Sequence, residues 1–168
     1  YLHSLRIAPQ PEKNTVHFRL DADDPAHADI TIHKDGIIIA AGESGTDGEA
    51  LFSIPAEQLR LWSPEDPFLY DVTITLAGGD TVESYFGMRS FGIGTDEKGL
   101  PRLLLNGKPY FQNGLLDQGY WSDGYYTAPC DDALIYDISK MKRLGFNMLR
   151  KHIKVEPLRW YYHCDKLG

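Results

Sequence analysis

This 168-residue chain is poor in the features that announce most specialised chemistry. It holds two cysteines, Cys130 and Cys164, with neither metal-ligand spacing nor the even ladder of a disulfide scaffold, so isolated thiols are expected. Its six histidines stand singly, with no pair at metal-binding spacing on one helix face, and no metal or cofactor is expected. Positive charge is scarce: a net charge of −7 without any Lys/Arg cluster argues against a nucleic-acid surface. No apolar run is long enough to cross a membrane, and no signal peptide stands out. The first residue is Tyr1, so a missing true start is expected, and export stays open, with a periplasmic or secreted setting favoured over a cytoplasmic one.

What is present reads as a globular protein with room for one or two small domains, at 42% hydrophobic and 24% charged residues. The first ninety residues alternate with period two. Val16, Phe18 and Leu20 are separated by His17 and Arg19, and Ile30 and Ile32 have polar neighbours. Asp35-Gly36 turns the chain into Ile37-Ile38-Ile39, a strong hairpin signal because glycine accepts the positive φ of a tight turn. Ala50, Phe52 and Ile54 make another strand. Phe68, Tyr70, Val72, Ile74 and Leu76 make the clearest one, and Gly78-Gly79-Asp80 turns it back into Thr81 to Phe86. With Leu2 to Ile7, about seven short strands fit an antiparallel immunoglobulin-like sandwich over residues 1–91. Trp62, in the proline-bounded run 61–67, is read as a structural corner.

Residues 92–100 are polar and glycine-rich and read as a linker. A different order follows in 101–168: a small hairpin around Asn106-Gly107, a strand near Tyr110 to Leu116, a helix, a short strand from Asn147 to His152, and a second helix. Leu134, Ile138, Met141 and Leu144 recur at helical spacing as a core stripe. Asp131 or Asp132 is expected to cap the first helix, Gly145 to end it, and Pro157 to start the second. The fold class is therefore an all-β immunoglobulin-like sandwich followed by a partial α/β (TIM-type) barrel segment of about two βα units. A complete barrel of that kind needs about 250 residues.

In that barrel type the active site lies at the C-terminal ends of the strands. The loop Asp117-Gln118-Gly119-Tyr120-Trp121-Ser122-Asp123-Gly124-Tyr125-Tyr126 sits there, with four aromatics and two acids in ten residues. Aromatic faces beside carboxylates and amides suit a sugar, so Asp117, Gln118 and Trp121 are candidate substrate-binding residues; a packed lid is the competing reading. Arg150 and His152 end the second strand. A cation there is expected to pair with a carboxylate of a neighbouring strand and keep it ionised.

Several of these runs together resemble glycoside hydrolase family 2, the β-galactosidases, β-glucuronidases and β-mannosidases. They are Leu61-Trp62-Ser63-Pro64-Glu65-Asp66-Pro67-Phe68-Leu69-Tyr70, Tyr85-Phe86-Gly87-Met88-Arg89, Leu104-Leu105-Asn106-Gly107-Lys108-Pro109, Leu144-Gly145-Phe146-Asn147-Met148-Leu149-Arg150 and Cys164-Asp165-Lys166-Leu167-Gly168. The resemblance implies a sugar-binding jelly roll before Tyr1, this sandwich, and a barrel that continues past Gly168. It implies a retaining β-glycosidase that cleaves O-glycosyl bonds with two glutamates roughly 5 Å apart. None of the glutamates present fits either role, so the chain alone is expected to be inactive. Two departures matter. The family's Arg-x-Ser-His-Tyr-Pro run is replaced by Arg150-Lys151-His152-Ile153-Lys154, and Asp117-Gln118 stands where β-galactosidases and β-glucuronidases place a histidine or charged pair. Both imply a different substrate pocket. The other reading is a non-catalytic carbohydrate-binding or interaction module. The expected partner is a carbohydrate, with no nucleic acid and no membrane; the open barrel edge either associates as a homo-oligomer or docks on the sandwich.

Overall fold

The computed structural model describes residues 1–24 and 27–168. Seven antiparallel strands come first: β1 (Leu2–Gln10), β2 (Thr15–Ala22), β3 (Asp29–Lys34), β4 (Ile37–Glu43), β5 (Glu49–Ser53), β6 (Tyr70–Thr75) and β7 (Thr81–Phe86). They form two sheets, ordered β1-β2-β5 and β4-β3-β6-β7. Alternation decides which side chains meet between them: Val16, Phe18 and Leu20 face inward from β2, Ile30 and Ile32 from β3, Tyr70, Val72 and Ile74 from β6, all of them buried. Phe18 meets Phe52 edge-on at 5.6 Å, which ties the β5 side of the layer into the same core. The expected sandwich is present.

Residues 92–95, expected as linker, are not irregular. Phe91–Thr95 is a strand, β8, paired with β9 (Pro101–Leu105), which turns through Asn106-Gly107 into the short β10 (Lys108–Pro109). Glycines at 92 and 94 hide an alternation of Phe91, Ile93 and Thr95 that a strand needs. The next strand, β11 (Gly114–Asp117), starts four residues later than expected. It pairs in parallel with β12 (Met148–Lys151), and α1 (Asp131–Arg143) makes the crossover between them. Helix α2 (Leu158–Leu167) follows.

The helix ends correct three expectations. Cys130, not an aspartate, occupies the N-cap of α1 and makes no side-chain cap; Asp131 instead reaches α2, with Arg159 Nε at 3.2 Å and His163 Nε2 at 3.4 Å. Leu144 is exposed, because it is the last residue before the chain reverses; Leu134 and Ile138 hold the stripe with Trp160. Pro157 is the N-cap of α2 rather than its first helical residue. Gly145 ends α1 as expected, at φ 91°, with its N–H donating to the Lys142 carbonyl and that of Phe146 to the Met141 carbonyl.

Sandwich and helices meet around Asp165, beside the Tyr85–Tyr162 ring contact at 4.9 Å and the Lys142 Nζ bond to the Pro64 carbonyl at 2.7 Å. Asp165 in α2 accepts Arg89 at 2.7 Å and the Tyr85 hydroxyl at 3.1 Å, while its carbonyl accepts the Trp62 indole N–H at 2.7 Å. The Arg89 guanidinium lies 4.2 Å from the centre of the Trp62 ring. Trp62 is buried in this joint, as its reading as a corner required. Burial and then the charge of Asp165 push the Tyr85 hydroxyl well above the ordinary phenol range.

Candidate functional site

The C-terminal ends of β11 and β12 gather most of the chemistry. Register pairs Leu116 with Arg150 and Asp117 with Lys151. Leu149 packs on the α1/α2 cluster of Leu134, Ile138 and Trp160, so the strand pleat turns Lys151 to the same helix side and Arg150 to the opposite, open side. Lys151 Nζ donates to Asp117 Oδ2 at 2.7 Å and Glu156 Oε1 at 2.8 Å, 4.3 Å from the centre of the Trp160 ring. Lys154 Nζ reaches the same Glu156 oxygen at 3.2 Å and donates to the carbonyls of Gly119 at 2.5 Å and Tyr126 at 2.7 Å. Both lysine side chains are under a tenth exposed, and that of Glu156 is 3% exposed. Two cations and two carboxylates balance, which is what makes such burial tolerable. Burial alone draws the Lys151 ammonium down, but its hydrogen bonds to Asp117 and Glu156 outweigh that and hold its pKa above the ordinary lysine value.

Gly119 closes over this network at φ 61°, and a Cβ there would collide with the Glu156 carboxylate. The loop can cross the ion pairs only because residue 119 has no side chain. Beside it, Gln118 Nε2 lies 3.1 Å from His152 Nδ1, and the His152 N–H donates to the Asp117 carbonyl at 2.9 Å. With the amide as donor, the neutral ring keeps its proton on Nε2, free to point at another group.

Of the five residues read from the sequence, Asp117, Gln118 and His152 come together. Arg150 does not join them: it is exposed and has no ion-pair partner among the described residues. Asp117, the carboxylate on the neighbouring strand, is sent by the pleat to the helix side, where Lys151 takes it. Trp121 turns inward onto the α1/α2 cluster, leaving Tyr120, Tyr125 and Tyr126 at the surface. Sequence reading missed Lys151, Lys154 and Glu156 as a unit. Their signal was the run Lys151-x-x-Lys154-x-Glu156, three charges within six residues of a strand end.

No carboxyl here is prepared as a general acid. Asp117 and Glu156 are tied to lysine. Asp137, whose carboxyl burial and the charge of Asp117 hold above its ordinary range, lies on the exposed side of α1. A cleft of about 160 Å³ lined by Trp62, Ile138, Lys142, Met148, Trp160 and Cys164 opens at the other end of β12, away from the loop.

The profile described as Glycosyl hydrolases family 2 matches residues 1–89, more than half of the chain. The chain belongs to glycosyl hydrolase family 2. Within that family it is similar to the β-galactosidase of Leuconostoc mesenteroides, 34% identical over 134 residues that cover 75% of this chain and 12% of that enzyme. The β-galactosidase large subunit of Leuconostoc lactis is 25% identical and aligns with the whole chain, over 28% of its own length. In fold, the chain superimposes over its full length on 27% of a Faecalibacterium prausnitzii β-glucuronidase, at TM-score 0.82 and 24% identity. It therefore spans between 12% and 28% of the length of these family 2 relatives.

Proposed function

We propose that this chain is the immunoglobulin-like domain (1–91), a connecting hairpin layer from residue 92, and the opening two βα units (101–168) of the catalytic (β/α)8 barrel of a retaining β-glycosidase. The observation that carries this reading is the parallel β11–β12 pair with α1 crossing between its strands, which follows a family 2 sandwich after the β8–β10 layer. A parallel strand pair joined through a helix is the repeating unit of such barrels, and antiparallel modules do not need it. In this reading Gln118 and His152 line one wall of the substrate pocket, and Arg150, unpaired on the open sheet face, reaches into the barrel lumen. Asp117 positions the loop through Lys151 and does not touch sugar. Trp121 is a packing residue. The replaced run after Arg150 and the Asp117-Gln118 pair favour a β-linked substrate held differently from that of the β-galactosidases.

Retaining cleavage needs a nucleophile and an acid/base about 5 Å apart. The carboxylates at this end of the sheet are ion-paired instead, so the chain alone is expected to be inactive. The test compares p-nitrophenyl β-glycoside hydrolysis by the 168-residue chain with that of the full reading frame containing it. Turnover only by the longer protein is expected. Turnover by the chain alone would overturn the assignment of both acids to later strands, and inactivity of both would favour a binding module.

A further inference from the structure

The loop after β11 hides its tryptophan and displays its tyrosines. Tyr120 and Tyr126 are 50% and 64% exposed, with ring centroids 5.2 Å apart and planes tilted by 57°. Their placement is not left to the loop alone. Lys154 Nζ holds the carbonyls of Gly119, just before Tyr120, and of Tyr126 itself, and lies 5.8 Å from the centre of each ring. Glu156 and Lys151 fix Lys154 from below. A hydrogen bond with Tyr126 also pushes the Tyr120 hydroxyl above its ordinary range. Two large rings are thus braced from the interior while half or more of each stays exposed.

We propose that Tyr120 and Tyr126 form a stacking platform for an uncharged sugar ring, at the rim of the pocket and apart from Arg150. The platform rests on the glycosidase reading above and names a second sugar contact within it. Aromatic faces accept the C–H faces of a pyranose, and Tyr120 and Tyr126 offer two of them side by side. The charge pattern selects the ring. Lys154 is sealed by two carbonyls and a carboxylate, so it has no N–H left for an anion, while Asp123 in the same loop is exposed and repels one. A neutral hexose fits; a uronate does not.

The test is a titration of the 168-residue chain, carrying 13C-labelled tyrosine rings, with lactose and separately with galacturonate. The ring signals of Tyr120 and Tyr126 are expected to move with lactose and to stay with galacturonate. Saturation transfer to lactose should fall about five-fold in Tyr120→Ala and in Tyr126→Ala, as expected for loss of one aromatic contact, and survive in Tyr120→Phe. Tyr136→Ala, which removes a similarly exposed ring on α1, should leave it unchanged. Unmoved ring signals with lactose, or an equal loss in Tyr136→Ala, would overturn the platform. Activity of the full reading frame reports separately on the glycosidase reading: hydrolysis with unmoved tyrosine signals would sink the platform alone.

Discussion

At the scale of single residues, Lys151 separates two kinds of charge at this site. It is buried between Asp117 and Glu156, and removing it strands carboxylates that water reaches poorly. Lys151→Met is expected to cost about 3 kcal/mol in urea unfolding, and Glu156→Gln less, because Lys154 keeps two carbonyl partners. The sign with pH follows from the raised folded-state pKa of Lys151. Its stabilisation is complete below the unfolded lysine value near 10.5 and disappears as pH rises through the higher folded one. Arg150→Ala should leave stability within about 0.5 kcal/mol of the parent chain, since the side chain is exposed and unpaired. At this scale the sequence leads to the strand ends that hold Asp117, Gln118 and His152, and it does not lead to Lys151, Lys154 and Glu156 as one network. Residue types and strand ends are legible without coordinates, but the face a charge lands on depends on register. A shift of one position exchanges Arg150 for Lys151.

At the scale of elements, the parallel pair depends on a glycine. A Cβ on Gly114 would lie 2.6 Å from the Met148 carbonyl oxygen, so Gly114→Ala must push β11 away from β12. The expected cost is about 2 kcal/mol, seen as faster hydrogen exchange across Met148–Lys151. The hairpin layer carries a titratable tie: the Tyr110 hydroxyl donates to Glu65 at 2.6 Å, which lowers the Glu65 carboxyl, while burial and then this bond push Tyr110 up to about 12. The Glu65 contribution is present above the ordinary carboxylate pKa and lost as pH falls through its lowered value. That of Tyr110 is present below about 10 and lost as pH rises toward about 12. Tyr110→Phe should flatten both limbs of a thermal-stability profile. Strands β2, β3, β5 and β6 were readable because period two survives in them, and β4 because Asp35-Gly36 announces its hairpin. Strand β8 was not, since glycine at alternate positions erases the polar half of the pattern and imitates a linker.

At the scale of the molecule, Asp165 joins what the sequence treats as separate domains. Arg89→Ala would leave that carboxylate with the Tyr85 hydroxyl alone, and unfolding in urea should split into two transitions, sandwich and βα segment. The open face and edge of β11–β12 also offer unpaired backbone groups, and self-association in sedimentation is the expected behaviour of the isolated chain. The position of the tryptophans has a practical consequence. Trp62 lies against a guanidinium in the joint, Trp160 beside the Lys151 ammonium between the helices, and Trp121 under the tyrosine loop. Each indole therefore senses a different electric field, and three single-tryptophan variants would turn emission colour into a map of which part opens first.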